Sequence, residues 1–242
     1  MTSTTQLQGS VAIITGGSRG LGRYCAEQLA SQGCKVVMVG INPQSVADAQ
    51  LQLQSKNLDV IGKVADVADP VAMDRLVVEL GELANPQILI NSAGVMSAKM
   101  TKTLRTSNDE WHRVLGINLD GVFNSVSRFA PSMVEQRYGR IINLSACLGR
   151  FTGPGLLGGL APYRISKTGV NALTKNLAAE LQFGARNVLV DAVCPGHIQT
   201  DMGGETAPRT VAQGADTVLW LATRAQTDQT GLLWEDREVV PY

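Results

Sequence analysis

The sequence contains few histidines and no excess of charge of either sign. Only His112 and His197 occur among 242 residues, which argues against a histidine-based metal centre or a Ser-His-Asp triad. Lysine plus arginine and aspartate plus glutamate both number 21, so the net charge is zero. Nothing in this balance favours nucleic acid or an anionic membrane as a partner. We therefore expect a site without a metal, on a protein that binds neither nucleic acid nor membrane.

Long apolar runs and a leader-like start are also lacking. No stretch approaches the ~20 apolar residues of a membrane span, and residues 1–8 are polar, so no secretory signal is visible. The four cysteines lack the spacing of metal ligands. Free thiols in a reducing cytoplasm are the simplest interpretation. We therefore expect a cytoplasmic protein.

Short apolar runs alternate with longer amphipathic stretches. The runs predicted as strands buried on both faces are 11–15, 35–39, 60–64, 88–91, 140–144 and 188–193. Between them, apolar residues recur every three to four positions, as at Leu21, Cys25 and Leu29, which predicts helices. Repeated strand-helix-strand units imply parallel pairing. Because no composition shift marks a boundary, we expect a single α/β domain over residues 1–242, with a doubly wound, Rossmann-like parallel sheet and helices on both faces.

A glycine-rich turn joins the first predicted strand to the first predicted helix. Residues 15–22 read TGGSRGLG. There, Gly16, Gly20 and Gly22 permit a tight turn and close backbone approach, while the helix N-terminus offers free N–H groups to a pyrophosphate. A flexible turn without a ligand is the alternative. The turn predicts a dinucleotide site that also includes Ser18, Arg19 and Leu21.

The end of the second strand bears on which dinucleotide binds. An acid there bonds the ribose 2′-hydroxyl of NAD(H), whereas a basic residue nearby suits the 2′-phosphate of NADP(H). Gly40, Ile41 and Asn42 include no acid. Arg19 could bond a phosphate by two parallel hydrogen bonds, although an exposed loop arginine is the alternative. The sequence favours NADP(H) over NAD(H), with Ile41 and Asn42 as further contacts.

Tyr163 and Lys167 are the pair most suggestive of catalysis. Residues four apart lie on one face of a helix. A lysine ammonium beside a phenol favours the phenolate, which lowers a phenol pKa that is ordinarily about 10. Most such spacings are a surface tyrosine and a solvated lysine, but this pair lies downstream of the glycine-rich turn. It predicts a proton donor or acceptor usable near neutral pH.

Taken together, these elements resemble the short-chain dehydrogenase/reductase family. The first turn has that family's GxxxGxG spacing, and Tyr163 and Lys167 match its YxxxK pair. The resemblance runs from about residue 11 to residue 200 and implies NADPH-dependent reduction of a ketone or aldehyde by hydride transfer. It implies that Tyr163 is the general acid and that Lys167 lowers the tyrosine pKa and holds the nicotinamide ribose. Asn118, within GINLDG, would help hold a water in a proton relay.

The resemblance also implies cofactor contacts at other strand ends. Asp66 and Val67 match the position that touches the adenine, although Asp66 could equally cap the helix beginning near Pro70. Residues 91–94 resemble the family's Asn-Asn-Ala-Gly element, with Ser92 departing from it, and residues 195–200 resemble its PGxxxT loop. The implied contacts are Asn91, Ala93, Gly94, Pro195, Gly196, Ile198 and Thr200, of which Ile198 and Thr200 would flank the nicotinamide carboxamide.

One position departs from the family pattern. The serine that polarises the substrate carbonyl is replaced by Ala146, and Ser145 lies one residue earlier. Adjacent residues in extended chain point to opposite faces, but the glycine-rich loop at 153–159 could let the segment shift. We favour Ser145 as the displaced donor. The alternatives are a slower or engineered enzyme in which Tyr163 acts alone, and an NADP(H)-binding sensor. Cys147 is interpreted as a small core or loop residue.

The expected substrate walls are apolar. The loop at 153–159 and residues 201–204 carry no basic group aimed at a carboxylate or phosphate, so we expect a small apolar carbonyl compound or its alcohol. The last residues, 231–242, resemble the ending of broad-range carbonyl reductases. Trp234 and Tyr242 are expected to reach a neighbour's site or to pack at an interface. Because family members are commonly dimers or tetramers, we expect a homodimer or homotetramer.

Overall fold

A computed structural model describes residues 7–98 and 102–242. Within these ranges, eight strands form one sheet: β1 (Val11–Thr15), β2 (Lys35–Gly40), β3 (Val60–Val64), β4 (Ile88–Asn91), β5 (Gly139–Leu144), β6 (Val188–Val193), β7 (Leu233–Glu235) and β8 (Glu238–Val240). Their order across the sheet is β3-β2-β1-β4-β5-β6-β7-β8. Strands β1 to β7 pair in parallel, and β8 runs antiparallel to β7.

Helices connect the strands. The α-helices of the described ranges are α1 (Gly20–Ser31), α2 (Pro43–Gln54), α3 (Pro70–Leu80), α4 (Asn108–Leu115), α5 (Gly121–Gln136), α6 (Ala161–Glu180) and α7 (Val211–Thr223). A π-helical turn, Gly116–Asp120, joins α4 to α5. Short 3₁₀ turns include Cys147–Gly149 and Gly153–Leu156, which follow β5.

Both faces of the sheet are buried. Successive side chains of a strand point to opposite faces, so Ile13 of β1 packs with residues of α3, α5 and α6, and Ile14 packs with residues of α1, α2 and α7. The apolar runs of the sequence therefore correspond to strands covered on two sides, and their bounds agree with the predicted ones to within one residue. The doubly wound parallel sheet with helices on both faces is confirmed.

The order of the strands reverses between β1 and β4. From β1 the chain builds outward through β2 to β3, and it then returns to place β4 on the other side of β1. In open α/β sheets, ligands bind beyond the carboxyl ends of the strands at such a reversal. The topology therefore marks the edge where the glycine-rich turn, at the end of β1, opens onto a crevice.

The C-terminal segment extends the sheet, which the sequence did not predict. Trp234 of β7 is 4% exposed, its indole N–H donates to Asp191 Oδ1 at 2.9 Å, and its ring lies edge-on to Trp220. Tyr242 donates its hydroxyl to the carbonyl oxygen of Gly231 at 2.7 Å. The expectation that Trp234 reaches a neighbour or an interface is wrong, because its side chain fills this chain's own core.

Asp66 does not cap α3. The cap of that helix is Asp69, whose carboxylate accepts from the N–H of Val71 at 2.9 Å. The carboxylate of Asp66 instead accepts from the N–H of Ala68, also at 2.9 Å. The alternative interpretation of Asp66 as a helix cap is therefore wrong, and its carboxylate stays at the end of β3.

Two kinds of feature are absent from residues 7–98 and 102–242. No helix in these ranges is long and apolar enough to cross a bilayer. The same ranges hold no group of three or more histidine, cysteine, aspartate or glutamate side chains arranged to bind a metal ion.

We predict that Trp234→Ala lowers the free energy of unfolding by about 3–5 kcal/mol, because it leaves a large cavity in the core. Urea denaturation followed by circular dichroism measures this change. The control is Val239→Ala on β8, where the side chain is half exposed and the expected change is below about 1 kcal/mol. Equal, small effects of the two substitutions would contradict the placement of β7 in the core.

Candidate active site

A cleft of about 550 Å³ opens along the carboxyl ends of β1 to β6. The predicted site residues that line it are Gly16, Ser18, Arg19, Gly20, Leu21, Gly22, Ile41, Asn42, Asp66, Val67, Ala93, Gly94, Ser145, Tyr163, Lys167, Pro195, Gly196, Ile198 and Thr200. Asn91 and Asn118 lie behind this lining. The cleft thus brings together elements that are far apart in the sequence.

The glycine-rich turn packs so tightly that side chains would not fit. Gly16 has a φ of +66°, and a Cβ there would lie 2.8 Å from the backbone nitrogen of Ala93. A Cβ on Gly22 would collide with the carbonyl oxygen of Gly16. Gly20 lies against Thr200, to whose Cγ2 a Cβ would come within 3.3 Å. The turn, the segment after β4 and the loop after β6 therefore form one cradle beside the N-terminus of α1, as a dinucleotide pyrophosphate requires.

Arg19 lies at the rim of this cradle. Its Nη1 donates to Asp201 Oδ2 at 3.1 Å, which joins the turn to the loop on the opposite side of the cleft. Both side chains are largely exposed, at 68% and 76%, and exposed ion pairs contribute at most about 1 kcal/mol. The guanidinium can therefore exchange the carboxylate for a phosphate at small cost.

The end of β2 carries no negative charge and packs closely on the glycine-rich turn. A Cβ on Gly40 would lie 3.0 Å from Ser18 Oγ, so the absence of a side chain allows this close approach. The amide of Asn42 caps α2 by accepting from the N–H of Ser45 at 2.9 Å. Ile41 is exposed at the rim. Of the two residues predicted as contacts at this strand end, Ile41 and Asn42, Asn42 thus already has a structural task.

Lys167 is buried at the inner end of the cleft. It is 5% exposed, and its Nζ donates to the carbonyl oxygen of Leu144, the last residue of β5, at 2.6 Å. Burial lowers the pKa of Lys167 to about 8, because removal from water disfavours the charged form. The ammonium is therefore held in place by the backbone and titrates close to physiological pH.

Tyr163 lies beside Lys167, one turn earlier on α6. Its ring centroid is 5.8 Å from Lys167 Nζ, so the pair is brought together as predicted. Burial raises the pKa of Tyr163 well above its ordinary value, and the nearby thiols of Cys194 and Cys147 raise it further. The direction is opposite to the expectation that the lysine lowers this pKa, because desolvation of the phenol is the largest cause of the shift. The phenol is neutral at physiological pH.

Ser145 and Ala146 point in different directions. Ser145 is buried, and its hydroxyl donates to the carbonyl oxygen of Lys167 at 3.3 Å. Ala146 packs with Tyr163 and Leu160. No loop shift turns Ser145 toward the tyrosine, because its N–H extends the sheet ladder by donating to Val193 at 2.8 Å. Ala146, and not Ser145, therefore packs with the cluster that contains Tyr163.

Asn118 is fully buried in the π-helical turn. Its Oδ1 accepts from the N–H of Val95 at 2.8 Å, and its Nδ2 donates to Val95 O at 2.9 Å and to Ser166 Oγ at 3.1 Å. A Cβ on Gly94 would lie 3.4 Å from Asn118 Oδ1 and 3.7 Å from Lys167 Nζ. Asn118 thus lies close behind Lys167, separated from it by a glycine.

Asn91 has a structural task within the sheet. Its Nδ2 donates to Asn143 Oδ1 at 2.8 Å, and Asn143 in turn donates to Thr174 Oγ1 at 2.9 Å. This buried network joins β4, β5 and α6. Asn91 is therefore not a lining residue, and its neighbour Ser92 lines the cleft instead.

Arg164 is a residue that the sequence reasoning missed. Its guanidinium donates to the carbonyl oxygens of Gly159 at 2.8 Å, Pro154 at 3.0 Å and Gly155 at 3.3 Å. These bonds fasten the glycine-rich loop to α6 directly beside Tyr163. The available signal was an arginine following the tyrosine at the start of a helix, next to a loop whose carbonyl groups need donors.

The inner end of the cleft is mostly apolar. Met96, Ala146 and Met202 line the cleft, and Met96 and Ala146 pack with the cluster that contains Tyr163. His197, also missed, lines the cleft, and its Nε2 lies 2.7 Å from the carbonyl oxygen of Gly203. This contact joins two parts of the loop after β6. The space beside the phenol therefore suits a small apolar group.

Comparison with known proteins agrees with this geometry. A family model described as short chain dehydrogenase matches residues 10–219. The chain belongs to the short-chain dehydrogenase/reductase family, a class of oxidoreductase enzymes, and the suspected resemblance is confirmed.

Curated relatives share more than a third of their aligned residues with this chain. The 3-oxoacyl-[acyl-carrier-protein] reductase of Aquifex aeolicus is 37% identical over 199 residues, which cover 81% of this chain and 77% of the relative. The protein of the same description from Staphylococcus aureus is 36% identical over 193 residues, covering 79% and 75%. These relatives thus align along most of both chains.

Solved structures are similar over most of the chain. A putative gluconate dehydrogenase from Agrobacterium tumefaciens superposes with a TM-score of 0.85 at 26% identity, covering 96% of both chains. Levodione reductase superposes with a TM-score of 0.74 at 30% identity, covering 81% of this chain and 75% of that one. A 3-oxoacyl-[acyl-carrier protein] reductase from Brucella melitensis with bound NAD superposes with a TM-score of 0.79 at 28% identity, covering 96% of this chain and 93% of that one.

We predict that Lys167→Met stabilises the protein at pH 7 by up to about 3 kcal/mol, because the folded-state pKa of about 8 lies below the value near 10.5 of a free lysine. Between these two pKa values the unfolded chain binds one proton more than the folded chain, so the stability of the wild type rises from pH 8 toward pH 10. The difference in free energy of unfolding between Lys167→Met and the wild type therefore narrows over this range, and urea denaturation measures that difference. Lys175→Met, on the exposed face of α6, is the control. A constant difference across pH would contradict desolvation of the ammonium as the cause.

Proposed function

We propose that the protein is an NADPH-dependent reductase of small apolar ketones or aldehydes, with Tyr163 as the general acid. The observation that carries this proposal is the buried Tyr163–Lys167 pair at one end of a cleft whose other end is the glycine cradle. A phenol and a cofactor cradle in one crevice are the two parts that carbonyl reduction requires.

The protonation states favour reduction over oxidation. Because burial raises the pKa of Tyr163, its phenol keeps its proton at neutral pH and donates it to a carbonyl oxygen that is gaining negative charge. The Lys167 ammonium then stabilises the phenolate, and it would also hold the ribose hydroxyls of the nicotinamide. The chemistry that a reduced nicotinamide supplies when bound is the hydride. Asn118, behind Lys167, would help to hold water for reprotonation.

Tyr163 acts in this proposal without a second hydroxyl. Ser145 bonds the Lys167 carbonyl and Ala146 packs against the phenol, which supports Tyr163 alone over the displaced serine. Loss of one oxyanion donor commonly lowers a rate by ~10²–10³. We therefore expect a slow reductase.

NADP(H) is the proposed cofactor. Arg19 at the rim of the cradle can release Asp201 for a 2′-phosphate, and the end of β2 presents no acid to a ribose hydroxyl. The Brucella melitensis structure with bound NAD makes NAD(H) the competing candidate. Asp66 and Val67 would contact the adenine, and Ile198 and Thr200 the carboxamide, since all four line the cleft.

The proposed substrate is an apolar carbonyl compound or its alcohol. Met96, Ala146 and Met202 support this class by lining the inner cleft. The relatives named as 3-oxoacyl-[acyl-carrier-protein] reductases and the levodione reductase favour a ketone. A 3-oxoacyl thioester is therefore included among the candidate substrates.

We further propose a cytoplasmic homodimer or homotetramer built from one domain. The exposed apolar side chains of Phe123 on α5 and Ile165 on α6 support assembly through these helices, because a partner would cover them. Four unpaired cysteines support a reducing compartment.

An NADP(H)-binding sensor is the second candidate. It is favoured by one observation, the methyl group of Ala146 beside the phenol where the family places a hydroxyl. Such a protein would bind the dinucleotide in the cradle but would not turn over a carbonyl substrate.

The reductase is tested by following NADPH oxidation with a panel of apolar ketones, aldehydes and a 3-oxoacyl thioester. We expect turnover that Tyr163→Phe abolishes while NADPH affinity changes less than about threefold, because the phenol acts on the carbonyl oxygen. Binding of NADPH without turnover of any member of the panel would instead support the sensor.

The second donor is tested by Ala146→Ser and Ser145→Ala. Ala146→Ser places a hydroxyl beside Tyr163, so we expect kcat to rise at least tenfold, toward the ~10²–10³ that such a donor contributes. Ser145→Ala should change kcat less than about threefold, since its hydroxyl bonds the Lys167 carbonyl. A large loss in Ser145→Ala would show that Ser145 is the donor after all.

Cofactor choice is tested by Arg19→Ala. We expect the KM for NADPH to rise at least tenfold, because a charge-assisted guanidinium–phosphate contact is lost, and the KM for NADH to change little. Asp201→Asn should lower the KM for NADPH by freeing the guanidinium. Arg23→Ala, one turn along α1 and outside the cleft, is the control. Equal effects of Arg19→Ala on both cofactors would contradict recognition of the 2′-phosphate.

A further inference from the structure

Cys147 and Cys194 leave the carboxyl ends of two neighbouring strands. β5 and β6 pair with Leu144 opposite Val193, and Cys194 directly follows Val193. Ser145 continues the ladder through its N–H bond to Val193, and Cys147 lies two residues further on. The two cysteines therefore start the loops that follow adjacent strands.

The two side chains belong to one packed cluster. They contact a patch that includes Leu233 of β7 and Tyr242 near the end of the chain. Cys194 is fully buried, whereas Cys147 is half-buried and reachable from solvent. A reagent from solvent therefore meets Cys147 first, with Cys194 behind it.

The surroundings of the pair make the two thiols unequal. The Cys194 thiol donates to Glu235 Oε1 at 3.6 Å, and Arg150 Nη1 donates to the other oxygen of that carboxylate at 3.3 Å. The interaction between the two thiols lowers the pKa of Cys147 and raises the pKa of Cys194. Cys147 is thus the thiol of the pair that loses its proton more readily, and it is also the more exposed of the two.

We propose that Cys147 and Cys194 form a dithiol site that a hydroperoxide oxidises to an intramolecular disulfide. The Cys147 thiolate attacks one peroxide oxygen, so that an S–O bond forms, the O–O bond breaks and the leaving oxygen is protonated. Cys194 then attacks the resulting sulfenic acid, an S–S bond forms, and the S–O oxygen leaves as water with the thiol proton. With hydrogen peroxide, two thiols become one disulfide and the peroxide becomes two waters.

The other two cysteines provide an internal contrast. Cys25 and Cys34 are buried in the core, and burial raises the pKa of Cys25 to about 12 and that of Cys34 to about 11. Buried neutral thiols react slowly. The peroxide chemistry is therefore confined to the pair at the sheet edge.

The position of the pair places it directly behind the active site. Ala146 and Pro195, the neighbours of the two cysteines in sequence, both line the cleft. A disulfide would tie together the loop that carries Ala146 and the loop that would hold the nicotinamide. The thiol chemistry itself does not depend on the proposed reductase activity.

The experiment treats the full-length protein with a small excess of hydrogen peroxide and measures its intact mass, free thiols and tryptic peptides. We expect a mass lower by about 2 Da, a fall in free thiols from four to two, and a peptide linking residues 147 and 194. Dithiothreitol should restore all three. These readouts need no turnover, so a failure of the disulfide and a failure of the reductase are seen separately.

Single serine substitutions identify the pair. Cys194→Ser should stop at oxygen adducts of Cys147, and Cys147→Ser should react at least tenfold more slowly. Cys25→Ser and Cys34→Ser should form the disulfide like the wild type. Two outcomes would overturn the proposal. In the first, the wild-type protein gains oxygen without losing two thiols. In the second, Cys147→Ser or Cys194→Ser still forms the disulfide. Circular dichroism verifies that each variant is folded.

Discussion

The burial of the Lys167 ammonium against the end of β5 is the constraint on which the site depends. Lys167 Nζ donates to the Leu144 carbonyl, and the Ser145 hydroxyl donates to the Lys167 carbonyl. Gly149 packs so close that a Cβ there would lie 2.7 Å from Lys167 Cβ. These contacts hold α6 against the end of β5, and because Tyr163 lies one turn earlier on α6, they also fix the position of its phenol.

Burial also determines what the phenol can do. An exposed tyrosine beside a lysine would lose its proton more easily than a free phenol, whereas buried Tyr163 holds its proton more firmly. At neutral pH the phenol of Tyr163 is therefore an acid and not a base. Ala146 supplies a methyl group at the position where the family otherwise supplies a donor.

The fold was largely predictable from the sequence, and the missed parts have physical reasons. Strands buried on both faces are continuous apolar runs, which is why β1 to β6 could be recognised. β7 and β8 have three residues each, too few for a pattern. The glycine-rich turn predicted one part of the cleft lining, and the family resemblance implied the rest. The direction of Ser145 could not be predicted, because it depends on a ladder bond to Val193 that only the pairing of β5 with β6 reveals.

Arg164 has a consequence for how the loop at 153–159 can change over evolution. It fastens this loop through carbonyl oxygens of the main chain, which every amino acid possesses. The side chains of the loop, including the exposed Leu156 and Leu157, take no part in these bonds. Substitutions among them therefore leave the attachment intact, so that the surface of the loop can diversify while Tyr163, next to Arg164 on α6, stays in place.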